Sequence, residues 1–286
     1  MILITGANGK TGRAITNNLL SKGEPLRVLV HNPRYFHEFK TMGDIEVVVG
    51  DMLNQEFVNE AYSGIRAVYH IAPVANPNET VMGQIAINAA YSSKIEHFVY
   101  HSVLHSQLQA LPHHKQKNKV EDLLIDSGVP YTIIQPAVYM QNILNSWKSI
   151  VQNGIYTVPY GKKVKISYVD LLDVAEVVSL ILTQEGHLGA TYELCGHMDV
   201  SAIDIINILT HNLGHEIIVE SITTEMWAIG AEKFGIKQHQ LDTLLKMFEH
   251  YNKCGFTGNS NVLTWLLGKK PNDFSSFIQR RIQGER

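Results

Sequence analysis

The segment Ile2-Leu3-Ile4-Thr5-Gly6-Ala7-Asn8-Gly9-Lys10-Thr11-Gly12, with Ile15 and Leu19 behind it, decides how this chain is read. Its apolar, β-branched start predicts a buried strand. Apolar positions four apart then predict an amphipathic helix, which Gly23 can close. Between strand and helix each glycine has a task. Gly6 permits the sharp turn, Gly9 lets a diphosphate approach the backbone, and Gly12 lets the helix pack closely. The amides of a first helical turn lack intrahelical acceptors and suit negative phosphates. Thr5, Gly6, Asn8, Gly9, Lys10, Thr11 and Gly12 are therefore expected to seat a dinucleotide. The alternative is a tight turn with no ligand. The spacing G-x-x-G-x-x-G, with Gly9-Lys10-Thr11 too soon after Gly6, disfavours a triphosphate loop.

Further along, short β-branched runs alternate with helical patterns, as in a βαβ series. Strands are predicted at Ile2 to Thr5, Leu26 to His31, Ile45 to Val49, Ala67 to Ile71, Phe98 to Tyr100 and Tyr131 to Ile134. Their weak polar alternation fits a parallel sheet covered on both faces. Val81, Ile85 and Ala89 mark one helix, and Val120 and Leu124 before Gly128 another. Right-handed crossovers stack such units into a doubly wound parallel sheet, an α/β fold. After about Pro136 the pattern changes. A helix is predicted from Tyr139 to Val151, ending near Gly154. Asp170 with Asp173, and Ser201 with Asp204, are spaced to cap helices. The stretch Thr223 to Tyr251 reads as mostly helical with Trp227 and Met247 buried, and a last helix lies around Phe274 to Ile282. The expected division is a dinucleotide-binding domain over 1–155, with 164–194 returning to the sheet region, and a smaller, mostly helical lobe over 195–286.

Across 286 residues, 45% hydrophobic and 18% charged, the composition is that of a globular protein. A formal net charge of -3 offers little to nucleic-acid phosphates, and the basic stretches Lys115 to Lys119 and Arg280-Arg281 read as solvated helix faces. Cys195 and Cys254 are too few for a disulfide scaffold and are expected to be reduced thiols. The strand that starts at Ile2 leaves no room for a signal peptide, and no apolar run approaches the ~20 residues a membrane span needs. A cytoplasmic location is the default. The histidines show no three-ligand spacing, so no metal is expected.

An NAD-preferring site places an acid after the second strand, where it bonds the ribose hydroxyls. Here Val30 runs into His31-Asn32-Pro33-Arg34 without one. Arg34, assisted by His31 or Lys10, can attract a 2′-phosphate, so NADP (NADPH over NADH) is the expected cofactor. His31 and Arg34 as solvated loop residues are the other reading. Asp51 can accept from an adenine amino group while Met52 packs on the ring, or Asp51 can simply cap a helix.

The glycine loop, Gly50-Asp51, Lys117-Asn118-Lys119-Val120-Glu121 and Gly128-Val129-Pro130-Tyr131-Thr132-Ile133-Ile134-Gln135-Pro136 together resemble the NmrA-like branch of the atypical short-chain dehydrogenase/reductases. The resemblance continues through Tyr168-Val169-Asp170 and Asp173-Val174-Ala175 to Leu267-Gly268-Lys269-Lys270-Pro271. It implies a Rossmann domain with a smaller C-terminal lobe and a substrate cleft between them. The branch holds NAD(P)H-dependent quinone and triphenylmethane-dye reductases, and also redox-sensing regulators that bind the dinucleotide without turnover.

Where ordinary members carry a Tyr-x-x-x-Lys pair, this chain resembles them with His113 and Lys117, and Ser102 falls near the family serine. His113 can supply a proton near neutral pH and Lys117 can bond the nicotinamide ribose. A half-exposed helix-start histidine is the plainer reading of His113. His70, Ala72 and Pro73 are expected beside the nicotinamide, with Pro136 and Tyr139 also at the cofactor. Val74, Met140 and Trp147 are candidates for the substrate cleft, core packing being as good an account of Trp147. Two functions follow. One is an NADPH-dependent reductase of a quinone-like or conjugated aromatic small molecule, which needs little acid catalysis because its acceptor is electron-poor. The other is a non-enzymatic redox-sensing regulator that acts through a protein partner. A homodimer is also open.

Overall fold

Ile2–Ile4 is a fully buried strand (β1) and Lys10–Ser21 the helix it feeds (α1) in the computed structural model, which describes residues 1–233 and 235–284. The alternation then repeats. β2 (Leu26–Val30) leads to α2 (Tyr35–Met42), β3 (Ile45–Val49) to α3 (Gln55–Tyr62), and β4 (Ala67–His70) to α4 (Glu79–Ser92). β5 (His97–His101) is followed by α5 (Pro112–Asp126), which a proline opens, where a missing amide does no harm, and by β6 (Tyr131–Pro136). Next come β7 (Val138–Tyr139), a 3-10 helix over Met140–Ser146, α6 (Trp147–Asn153), β8 (Ile155–Val158), β9 (Ile166–Val169) and α7 (Leu171–Thr183). β10 (Ala190–Leu194), β11 (Asp199–Val200), α8 (Ala202–Leu213) and β12 (Ile218–Ser221) follow. α9 (Thr224–Lys233), α10 (Gln238–Cys254), α11 (Asn261–Leu267) and α12 (Phe274–Ile282) complete the order.

Seven strands form one sheet in the order β10-β6-β5-β4-β1-β2-β3, and the pairings from β6 through to β3 are parallel. The chain winds outward through β2 and β3, then returns past β1 to β4. The strand order therefore reverses between β1 and β4, the point at which a doubly wound sheet opens a crevice at its carboxyl edge. This is a Rossmann-like sheet. Its core packs Leu3, Val68, Phe98, Tyr100 and Ile133 against Met82, Ala86, Val120 and Leu124. α4 forms where Val81, Ile85 and Ala89 predict it; Ala89 is buried and Ile85 packs against the core beside Met82, Gly83, Ala86 and Ile87, while Val81 is 51% exposed. Gly83 packs closely against α5, since a Cβ there would lie 2.6 Å from Val120.

The chain divides into two compact units, Met1–Gln135 with Val174–Tyr192, and Pro136–Asp173 with Glu193–Arg286. Residues 136–155, placed with the first domain from sequence, pack in the second unit. β7 pairs with β9 there and β8 with β12, and the returning segment narrows to 174–192. The single helix predicted from Tyr139 divides into the 3-10 turn and α6, which Gly154 ends in the left-handed conformation at φ 68°.

The second unit is mostly helical, with two small sheets, β11-β9-β7 and β12-β8. Ser201 and Asp204 form the expected capping box of α8. Asp170 caps α7 and is held from another helix, while Asp173 binds elsewhere. Asp170 accepts from the Leu172 amide at 3.0 Å and is fully buried against Arg280 of α12, while Asp173 accepts from the Asn272 amide at 2.8 Å. Trp227 stacks edge-on against Phe248 at 4.8 Å, and both it and Met247 are half-buried rather than buried. Within the stretch Thr223 to Tyr251, Phe234 lies outside the described residues.

Candidate functional site

The turn between β1 and α1 is held from the inside. Thr5, grouped with the phosphate seat from sequence, is 1% exposed and clamps the ends of β1 and β4. Its amide donates to the Tyr69 carbonyl at 3.0 Å, and its hydroxyl donates to the Ile71 carbonyl at 3.0 Å and accepts from the Ile71 amide at 2.9 Å. Gly6 has φ 57°, and a Cβ on it would meet the Ile71 carbonyl oxygen at 2.8 Å. A Cβ on Gly12 would lie 2.5 Å from the Gly6 carbonyl oxygen. Packing alone accounts for these two glycines. Gly9 differs. Its backbone (φ -74°, ψ 165°) is ordinary for any residue, and a Cβ there would meet a single neighbour, the Gly6 carbonyl oxygen at 3.3 Å. Gly9 opens α1 with no side-chain cap and no acid in the first turn, and it is exposed with Lys10. Asn8 is half-buried, and Thr11 and Gly12 are buried. An uncapped helix start beside a bare backbone is an arrangement that accepts an anion.

At the end of β2, His31 and Arg34 are exposed. The Arg34 guanidinium lies 4.6 Å from the centre of the Tyr35 ring and donates to its hydroxyl. That bond, together with the charges of Arg34 and Arg13, holds the Tyr35 phenol below its usual pKa. Three residues that the motif does not single out join this corner. Arg13 donates through Nε to the Asn8 carbonyl at 3.1 Å and pairs through both terminal nitrogens with Glu38. Tyr35 lies under both guanidinia. An acid is thus present after β2, but on the helix beyond the loop, too far along the sequence for the strand-end rule to find it.

Asp51 is exposed and accepts from the Leu53 amide at 3.0 Å, whereas Asn54 caps α3 by accepting from Phe57 at 3.1 Å. Met52, expected to pack on the adenine ring, is 9% exposed and also packs in the core. His70 is buried, with Nδ1 3.5 Å from the Thr5 hydroxyl and its ring stacked on Tyr100. Burial first, and the Lys117 charge second, bring its pKa down to about 3. Ala72 is buried, and Pro73 and Val74 are exposed.

The three residues read as catalytic are brought near one another and are engaged inward. Lys117 is 4% exposed, and its ammonium donates to Glu79 at 2.9 Å and to the His101 carbonyl at 2.7 Å. Glu79 also accepts from the Tyr100 hydroxyl at 3.0 Å. Ser102 donates to Glu121, a carboxylate that also takes the Ser106 hydroxyl at 2.7 Å and the Gln135 amide at 2.9 Å. His113 is half-buried at the start of α5, and burial, then Lys117, then His114 lower its pKa to about 3. Its imidazole is therefore held toward the neutral form. Glu79, Tyr100, Glu121 and Gln135 were not singled out from sequence. The signal for Glu121 was its place four residues after Lys117, and for Glu79 its position as the one acid of α4.

Pro136 is buried at the end of β6. Within the second unit Tyr139 is half-buried, Met140 is 3% exposed, and Trp147 is half-buried with the Arg281 guanidinium 5.9 Å over its ring. His97 and His101 bond Thr132 and Tyr69. Among the described residues no three His, Cys, Asp or Glu side chains are grouped to hold a metal ion, and no helix is long and apolar enough to cross a membrane.

A parallel sheet whose glycine turn feeds α1 beside the reversal of strand order defines a Rossmann-like protein. The chain belongs to the NmrA-like family, which matches residues 1–278. It is 23% identical over 284 residues to the NAD(P)H azoreductase of Xenophilus azovorans, covering 98% of this chain and 97% of that one. It is 24% identical over 270 residues to quinone oxidoreductase 2 of Escherichia coli, covering 94% of each. Among solved structures, an NADPH-dependent quinone oxidoreductase of Escherichia coli complexed with NADPH superposes with a TM-score of 0.87 at 23% identity. That match covers 99% of this chain and 100% of the other. The triphenylmethane reductase of Citrobacter sp. complexed with NADP(H) gives 0.85 at 19%, covering 97% and 99%. At these identities the likeness establishes the fold.

Proposed function

We propose that this chain is an NADPH-dependent reductase that passes hydride to a small, electron-poor conjugated acceptor such as a quinone or a dye. The carrying observation is Gly9, exposed at the uncapped start of α1, where a Cβ would meet one neighbour of the protein's own, the Gly6 carbonyl oxygen at 3.3 Å. A diphosphate is the ligand such a cradle suits, with the first turn of α1 and Asn8 to Gly12 around it. Arg34 and Arg13 supply cations for a 2′-phosphate, which favours NADPH over NADH. The bound dinucleotide supplies the hydride.

What the chain's own residues do fits an acceptor that needs little acid. Ser102 donates a hydrogen bond to Glu121, Lys117 is locked between Glu79 and the His101 carbonyl, and burial lowers the His113 pKa. Reduction of an unactivated ketone needs a ready proton donor at the carbonyl, whereas a quinone or cationic dye accepts hydride once donor and acceptor are held in line. Names of relatives in the same family, an azoreductase and a quinone oxidoreductase, support the same substrate class. Purified chain incubated with NADPH and a panel of quinones, azo dyes and triphenylmethane dyes is expected to consume NADPH, followed at the nicotinamide absorbance. Tight NADPH binding with no turnover on any of them would reject the reductase.

The same engaged serine and lysine favour a second reading, a dinucleotide-responsive regulator without turnover, and the negative transcriptional regulator NmrA shares the fold with a TM-score of 0.80. That reading requires unequal affinities for the oxidised and reduced cofactor, because equal affinities shift no equilibrium.

A further inference from the structure

We propose that Glu38 tunes this chain's preference between NADP and NAD by occupying the guanidinium of Arg13 beside the glycine loop. The inference rests on the dinucleotide reading above. The two cofactors differ by one phosphate on the adenine ribose, which a doubly wound fold places at the end of β2. Arg13, four residues past Gly9, is fixed there twice. Its Nε donates to the Asn8 carbonyl at 3.1 Å, and its guanidinium lies 5.6 Å from the Tyr35 ring centre and 5.4 Å from that of Phe39. Arg34 shares the Tyr35 ring at 4.6 Å. Two guanidinia therefore serve one corner, Arg34 bonded to Tyr35 and Arg13 paired with the Glu38 carboxylate. Glu38 takes both terminal nitrogens of Arg13, one at 3.0 Å, and the pull of Arg13, then of Arg34, holds its carboxyl below the usual range.

A fork-to-fork pair is also the geometry in which arginine binds phosphate. A 2′-phosphate must compete with Glu38 for Arg13, whereas a ribose hydroxyl does not need Arg13 at all. Glu38 thus weakens NADPH selectively and narrows the gap between the cofactors. The side chains of Arg13 and Glu38 are 30% and 47% exposed, so neutral replacements leave the core untouched.

The test is calorimetric titration of the full chain with NADPH and with NADH, for the wild type, Glu38→Gln, Arg13→Gln and the double variant. Glu38→Gln is expected to tighten NADPH about threefold, the scale of an exposed ion pair, and to leave NADH within about twofold. Arg13→Gln is expected to weaken NADPH about tenfold with little change for NADH. On the Arg13→Gln background the Glu38→Gln gain should vanish. An unchanged NADPH-to-NADH ratio in Glu38→Gln, or a gain that persists without Arg13, overturns the proposal while leaving the dinucleotide site standing. A wild-type chain that binds neither cofactor overturns both.

Discussion

Glu79 and Lys117 form a buried pair whose energetic weight lies in what happens when one partner is lost. Glu79 is 1% exposed and Lys117 4%, and the ammonium has the Tyr100 ring 5.1 Å away. Glu79→Gln leaves a buried cation with no counter-charge and is expected to destabilise the chain by about 3–5 kcal/mol in denaturant titration. Replacing both, Glu79→Leu with Lys117→Met, should recover most of that loss. If the double replacement is as damaging as the single one, the pair is not what the single variant breaks. Arg34 belongs to a different kind of site, exposed and bonded to a tyrosine. Arg34→Ala is expected to weaken NADPH about tenfold more than NADH, and equal losses for both cofactors would remove it from the 2′-phosphate. His113 shows the limit of residue-by-residue inference. Its spacing to Lys117 is readable from the sequence, but its protonation depends on burial and on the neighbouring ammonium, which spacing does not report.

The β1–turn–α1 element was legible because three constraints coincide in one short segment: an apolar strand, glycines at 6, 9 and 12, and a helical stripe at Ile15 and Leu19. The places of the first six strands along the chain and the capping of α8 were legible for the same local reason. Other features were not. Glu38 reaches Arg13 from a different helix, Glu79 and Glu121 reach Lys117 and Ser102 from separate helices, and no local pattern encodes such meetings. α4 was found with Ala89 and Ile85 on its packed side, but Val81 at its start is exposed while Gly83 packs against Val120. Gly12 offers a sharp prediction at this scale. With a Cβ forced to 2.5 Å from the Gly6 carbonyl and 2.6 Å from the Ala7 Cα, Gly12→Val should lower the thermal midpoint or prevent soluble expression. A Gly12→Val chain as stable as wild type would mean that α1 does not pack against the turn as described.

Buried neutral imidazoles give the whole molecule a characteristic acid response. Burial, with help from Lys117, pushes His70 down to about 3, and burial, with His187 and Arg66, pushes His97 down to about 4, from an ordinary value of 6.5. Below pH 6.5 the unfolded chain takes up protons that the folded chain refuses. Stability contributed by these groups is therefore complete above that pH, and is lost as pH falls toward the folded values. On the order of 1–2 kcal/mol per imidazole should be gone by pH 5, and His70→Gln should flatten the slope between pH 6.5 and 5 in thermal melts. An unchanged slope would place the acid sensitivity elsewhere. The account as a whole, fold and function together, turns on the turn at Gly9. The most direct test is calorimetric titration with NADPH of wild type and Gly9→Val side by side, with thermal melts of both. A wild type that binds, and a variant that melts with it yet binds at least about tenfold more weakly, is the predicted result. Undiminished binding by Gly9→Val would contradict it.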